Sequence, residues 1–260
     1  MMIQLKYIIL LIILLIILIV SFKLYNKSRE GFDNDVPWDK AYFINVKTED
    51  TRKKYMVNQF DEKNISVKRF DAIDKTKIDD NYINELVYQK KILKNNNVLQ
   101  AKAAGSLACL LSHCSLWDMI YKKDDKEMYL IFEDDCKLVD NFKKECKEYI
   151  KHLPPDWDMA WLGYNRFLSP SNNNVFNKPL VKTPHPIGVN AQHHCYLIKR
   201  SSIPKIKDIL LPVTNNFHTK DSILRNNFDK FNAYFLFKKI ASQDKETFKF
   251  STRDPGTTNG

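Results

Sequence analysis

The sequence predicts an α/β fold, a mostly parallel sheet flanked by helices, preceded by a single N-terminal transmembrane helix. Three observations predict it. The stretch YIILLIILLIILIVSF, between Lys6 and Lys23, runs sixteen residues without a charge. KAYFINV, a helical segment and ISVKRFDAI then follow within roughly 35 residues, the order of a βαβ unit with parallel strands. Later apolar runs, YLIF at 129–132 and AWLG at 160–163, are unbroken rather than alternating, as in strands covered on both faces.

Each element has a local reason. The apolar stretch, residues 7–22, falls slightly short of a span, and Lys6 and Lys23 lengthen it by snorkelling. An uncleaved anchor fits better than a signal peptide, because SFKLYNKS is a poor small-x-small cleavage site. Residues 1–23 thus read as the anchor of a single-pass membrane protein of the secretory-pathway type II kind. Lys23, Lys27 and Arg29 against Lys6 do not fix its orientation. Residues 24–37 read as a polar linker, 38–250 as one domain and 251–260 as a polar tail.

Within the domain, KAYFINV (40–46) is the first strand. Thr48 caps a helix bearing Tyr55, Met56, Gln59 and Phe60 at helical spacing. Residues 65–73 form the second strand, 79–94 a charged helix and 94–105 a loop. The helix at 105–123 carries Leu107, Leu110, Leu111 and Cys114 on one side and Cys109, His113, Leu116 and Ile120 on the other. Apolar character on both sides marks it as buried. A strand at 127–135 follows, then a helix at 140–153 stopped by Pro154 and Pro155, and a strand at 158–165. Residues 166–190 form a long Pro- and Asn-bearing loop of the kind that closes over ligands. A strand at 192–200, a helix at 201–211 and a last strand at 233–240 precede a polar end.

Composition narrows the function. There are 41 Lys plus Arg against 31 Asp plus Glu, net +10, but the basic residues are scattered and no nucleic-acid motif is present. No nucleic-acid partner is expected; an anionic membrane surface or a phosphorylated ligand suits the charge. Five cysteines form no CxxC, which argues against structural zinc.

The chemistry concentrates in YLIFEDDCKL. Ligands of open α/β sheets bind beyond the carboxyl ends of the strands, where Glu133, Asp134 and Asp135 sit. Alternation along a strand turns Glu133 and Asp135 one way and Asp134 the other. Two convergent carboxylates suit a hard cation such as Mg²⁺ or Mn²⁺, completed by water and substrate phosphates. A solvated acidic turn is the rival reading.

GSLACLLSHCSLW followed about ten residues later by YLIFEDD resembles the core of glycosyltransferase family 25, which includes lipooligosaccharide and procollagen galactosyltransferases. Gly105, Cys109, Ser112, His113 and Trp117 match; Ser106 and Ala108 stand where the family has Glu and Gly. YFINVKTEDTR resembles its opening, placing Ile44, Asn45 and Arg52, and RFDAID its Ala-x-Asp turn, placing Ala72 and Asp74. DWDMAWLG and HCYLIKR resemble later segments, so the likeness covers residues 40–240.

The resemblance implies a GT-A fold, a Rossmann-like sheet that binds a UDP-sugar through Mn²⁺ or Mg²⁺. The reaction it implies moves a hexose, galactose or glucose, with inversion. The acceptor would be a hydroxyl of a glycan, a lipid-linked saccharide or a hydroxylysine-type site on a glycoprotein. Carried onto this chain, it makes Asp135, Glu133 and His194 the metal ligands. Asn45, Arg52, Asp74, Gly105, His113 and Asp134 become donor contacts. Asp221 in HTKDSIL, with Lys220 in place of the family's Val, becomes the catalytic base. Plainer readings stand beside these: a helix-start acid for Asp221, a core histidine for His113, structural roles for His193 and His194, and core packing for Trp161. His218 is a looser candidate ligand. The departures at Ser106 and Ala108 also admit a degenerate member that binds carbohydrate without turnover.

Overall fold

A computed structural model describes residues 15–21, 36–92, 101–164, 166–167, 180–182, 189–190, 193–213, 219–236 and 238–248. The strands are β1 (Lys40–Asn45), β2 (Lys68–Asp71), β3 (Met128–Glu133), β4 (Cys136–Leu138), β5 (Met159–Gly163), β6 (Arg166–Phe167), β7 (Leu180–Lys182), β8 (Val189–Asn190), β9 (Cys195–Lys199), β10 (Ala233–Leu236) and β11 (Ala241–Gln243). The helices of the domain are α1 (Asp50–Glu62), α2 (Asp80–Tyr88), α3 (Ala101–Lys123), α4 (Phe142–Ile150), α5 (Ile203–Leu210) and α6 (Lys220–Arg225).

The expected βαβ unit is present: β1 pairs parallel with both β2 and β3. The sheet as a whole is mixed, not mostly parallel. Its order is β2-β1-β3-β9-β5-β10-β7, and β9 runs antiparallel to both of its neighbours. The reason the sequence misled is physical. YLIK in β9 is buried on both faces except at its end, and an apolar run covered on both faces reads the same in either direction. β11 pairs antiparallel with β4 and parallel with β5, tying the ends of β3 and β5 together across β9. That junction is tight. A Cβ on Gly163 would lie 2.8 Å from both Cβ and O of Ala241, so only glycine permits the approach.

Helices cover both faces. On one, Leu110, Leu111, Trp117 and Ile120 of α3 pack with Ile203, Ile206 and Leu210 of α5 and Leu224 of α6 against Tyr129, Ile131, Trp161 and Tyr196. On the other, Met56 and Phe60 of α1 and Phe142 and Cys146 of α4 pack against Phe43, Leu130 and Phe132. Side-chain alternation in β3 divides its residues between these two cores. The α3 helix begins at Ala101 rather than 105, and α1 starts after Glu49, without a side-chain cap from Thr48.

The transmembrane helix is not supported. Of residues 7–22, the structure describes the stretch 15–21, which is helical and exposed. No helix among the described residues is long and apolar enough to cross a membrane. A single-pass membrane placement, type II or otherwise, therefore finds no spanning helix there. The remainder of that segment, residues 24–35 of the linker and the tail at 251–260 lie outside the described residues, as does most of the 166–190 loop.

Candidate functional site

Antiparallel β9 brings its amino end to the carboxyl end of β3, and this juxtaposition builds the site. The Glu133 amide donates to the His194 carbonyl at 2.8 Å. His194 Nδ1 lies 3.6 Å from Glu133 Oε2 and 4.0 Å from Asp135 Oδ1. One ligand atom from each of Glu133, Asp135 and His194 falls within 4.8 Å of the others. Asp135 and His194 are buried, and Asp135 Oδ1 has no hydrogen-bond partner among the described residues. Two carboxylates, one imidazole and a buried acceptor atom left over form a donor set that fits a divalent cation.

Asp134 and Asp135 lie in the turn that follows β3, beyond the alternation of the strand, and Asp134 is turned toward Asn45 and Arg52. Asn45 Nδ2 donates to its Oδ2 at 2.8 Å and Arg52 to its Oδ1 at 3.1 Å. Arg52 also lies 3.3 Å from Asp135 Oδ2, while Gln243 Nε2 donates to the same oxygen at 2.9 Å. Burial pushes the Asp134 carboxyl up to about 6, against the attraction of Arg52. Asn45 is itself held by Arg69, whose Nε donates to Asn45 Oδ1 at 2.9 Å. The Asp244 amide donates to the Asp135 carbonyl at 2.8 Å, and Tyr55 donates to Asp244 at 2.7 Å.

On the opposite side of Glu133 stands α3. His113 Nδ1 is 2.7 Å from the Tyr196 hydroxyl, which also receives the Trp117 indole N–H at 3.1 Å. Its Nε2 faces Lys220 Nζ at 3.0 Å and Glu133 Oε1 at 3.3 Å. Burial, then the nearby Lys220 charge, hold His113 down to about 4, so it is a neutral imidazole at neutral pH. Asp221, at the start of α6, is buried with Oδ1 2.9 Å from His193 Nδ1 and 3.4 Å from Lys220 Nζ. Burial likewise lowers the His193 pKa, opposed by Asp221.

The structure thus gathers Asn45, Arg52, His113, Glu133, Asp134, Asp135, His194 and Asp221 into one connected group. Asp74 stands elsewhere: its carboxylate caps a short turn, accepting from Thr76 N at 2.9 Å and Thr76 Oγ1 at 2.8 Å. Gly105 is buried within α3, about two turns before the Ser112 that receives the Ile73 amide at 2.8 Å. Trp161 stacks on Phe235 at 4.5 Å and contacts His193 at 4.6 Å inside the core. His218 lies outside the described residues. Tyr196, Lys220, Gln243 and Asp244 were not singled out as site residues by sequence. The alternating tyrosine of an apolar strand and a lysine next to the suspected base were the available signals.

The model of glycosyltransferase family 25, described as an LPS biosynthesis protein family, matches residues 38–243. The chain belongs to glycosyltransferase family 25. Among relatives, it is 23% identical over 219 residues to lipooligosaccharide biosynthesis protein lic2B of Haemophilus influenzae, covering 80% of this chain and 77% of that one. It is 27% identical over 142 residues to a glycosyltransferase 25 family member of Drosophila melanogaster, covering 54% and 23%. With human procollagen galactosyltransferase 2 it shares 23% over 139 residues, covering 52% and 22%. The chain therefore spans less than a quarter of the length of these two animal relatives.

Proposed function

We propose that this family 25 chain is a metal-dependent glycosyltransferase that moves a hexose, galactose or glucose, from a UDP-sugar to a hydroxyl acceptor with inversion. One observation carries the reading: Glu133, Asp135 and His194 converge at the carboxyl end of a central strand, with Asp135 Oδ1 buried and left over. These three residues would hold Mn²⁺ or Mg²⁺, which when bound neutralises charge on the leaving diphosphate.

The chain's own groups supply the rest. Asn45 and Arg52 fix Asp134 beside the cation group, where its remaining acceptor capacity can meet the donor's ribose. Asp221 is the carboxylate that takes the proton of the attacking hydroxyl, with the buried His193 imidazole 2.9 Å away. His113, neutral and fixed by Tyr196, receives Lys220 at Nε2, and Lys220 in turn holds Glu133 from the helix side. The printed roles of the relatives make a glycan or glycoprotein hydroxyl the acceptor class to test first.

The test is release of UDP by the full chain incubated with Mn²⁺, a panel of UDP-sugars and mixed acceptors, beside Asp135→Asn. Metal-dependent release that vanishes in the variant is the expected result. Donor binding without release would place the chain among non-catalytic binders. Release undiminished by a chelator would overturn the metal assignment.

A further inference from the structure

Two groups of residues able to hold a cation share Glu133. One is Glu133, Asp135 and His194; the other is Cys109, His113 and Glu133, whose ligand atoms also lie within 4.8 Å of one another. They differ in what stands inside them. Lys220 Nζ lies 3.0 Å from His113 Nε2 and 3.4 Å from Glu133 Oε1, so an ammonium already serves the second group. Lys220 is 1% exposed, lies 3.4 Å from Asp221 Oδ1 and sits 5.6 Å from the centre of the Tyr196 ring. A charge so deeply withdrawn from water is held in place by the carboxylates around it.

Charge counting shows what Lys220 does to the first group. Among the described residues that form these ion pairs, Glu133, Asp134, Asp135 and Asp221 bring four carboxylates, and Arg52 and Lys220 bring two fixed cations. Two negative charges remain, which a single divalent ion neutralises. Remove Lys220 and three remain, while the Cys109–His113–Glu133 group loses its cation. The two oxygens of Glu133 are divided accordingly: Oε1 faces Lys220 and Oε2 faces His194.

We infer that Lys220 is the resident cation of this site: it fills the Cys109–His113–Glu133 group, turns Glu133 Oε2 toward His194, and restricts the site to one weakly held divalent ion. The inference rests on the metal reading above. Lys220 acts through Glu133 and is a positioning residue.

The experiment is Mn²⁺ binding to the full chain, read from the loss of the free-ion EPR signal, with no donor present. Wild type, Lys220→Met, Lys220→Gln and Lys220→Arg are compared, with folding checked by circular dichroism and melting. The expected result is one ion in wild type, at least tenfold tighter Mn²⁺ binding in Lys220→Met, and near-wild-type affinity in Lys220→Arg. Lys220→Gln removes the same charge while keeping a polar end, and answers the question if Lys220→Met does not fold. Wild type binding Mn²⁺ with the neutral variants no tighter overturns the Lys220 inference and leaves the metal reading standing. Binding by the neutral variants alone would show that Lys220 excludes the ion from the native site, overturning both the metal reading and the inference of one weakly held ion. Binding by none of them removes both.

Discussion

Replacing Arg52 by Met should destabilise the chain in a manner that depends steeply on pH. Arg52 is 5% exposed and its guanidinium serves Asp134 at 3.1 Å and Asp135 at 3.3 Å. Burial has already raised Asp134 from 3.8 to about 6, which at ~1.4 kcal/mol per unit is about 3 kcal/mol against its charged form, even with Arg52 present. The sign follows from linkage. A raised folded-state pKa gives stability that is fully present below the unfolded value near 4 and is lost as pH rises through about 6. Without Arg52 the folded pKa climbs further, so the loss deepens and extends to higher pH. Breaking a buried pair by removing one partner costs about 3–5 kcal/mol. That is the expected gap between wild type and Arg52→Met at pH 8. At pH 5, with Asp134 protonated in both, the gap should shrink to about 1–2 kcal/mol, mostly a lost hydrogen bond. Met retains apolar contact with Phe248, whose ring lies 4.5 Å from the guanidinium carbon. Urea midpoints at pH 5, 6, 7 and 8, with unchanged slopes, measure the gap. Adding Asp134→Asn to Arg52→Met should remove most of the pH dependence; if it persists, Asp134 is not its source. A gap equal at pH 5 and 8 would refute the argument that the charge of Asp134 sets the cost of losing Arg52.

Asp221→Asn should lower the rate of UDP release by ~10²–10⁴, the range for a lost general base, with donor affinity within twofold; an equal loss of affinity would make Asp221 a binding residue. Gly163→Ala should force β11 off β5, because its new Cβ meets Ala241 at 2.8 Å, and so should lower the melting temperature and weaken Mn²⁺ binding together through Gln243. Unchanged Mn²⁺ affinity would show that β11 yields without moving Gln243. Ser112→Ala leaves the Ile73 amide without its acceptor and should cost about 1–3 kcal/mol in urea unfolding, with faster hydrogen exchange at Ile73. Tyr196→Phe removes the hydroxyl shared by His113 and Trp117 and should cost a similar ~1–3 kcal/mol while raising the metal concentration needed for half-maximal UDP release.

The acidic triplet was legible because its signal is local: an apolar run meets three acids, and a strand end can be read from six residues. The expected alternation of Asp134 and Asp135 does not apply, because β3 ends at Glu133: the turn after it sends Asp134 to Asn45 and Asp135 to Gln243, and Arg52 reaches both. The βαβ start and the doubly buried α3 were legible for the same reason, since periodicity is written along the chain. Gln243 and Asp244 were not. They lie in a polar stretch after Ile240, and only the pairing of three-residue β11 with β4 and β5 recruits them. Lys220 was hidden for a different reason. HTKDS reads as a solvated helix start, whereas α6 packs against α3 and closes its lysine beneath Tyr196. Asp74 is the reverse case: a short acid in a resembling motif whose carboxylate is used locally, with Thr76 lowering its pKa.

The direction of β9 decides more than the class of the sheet. A β9 parallel to β3 would carry its amino end to the opposite edge, and five residues at about 3.3 Å each would put His194 roughly 17 Å away. Glu133 and Asp135 would then face each other without an imidazole, a purely acidic pair at a strand end. With β9 antiparallel, the register Phe132↔Cys195 leaves His194 as the next residue opposite Glu133. Register matters as much as direction, because a one-residue slip turns every side chain to the other face. In one direction a slip would present Cys195 to the two carboxylates; in the other it would present His193 and strip Asp221 of its imidazole at 2.9 Å. The consecutive histidines therefore do separate work from one strand end, His194 beside the acids of β3 and His193 beside the carboxylate of α6. That division holds only because β9 is locked between β3 and β5 by pairing on both sides.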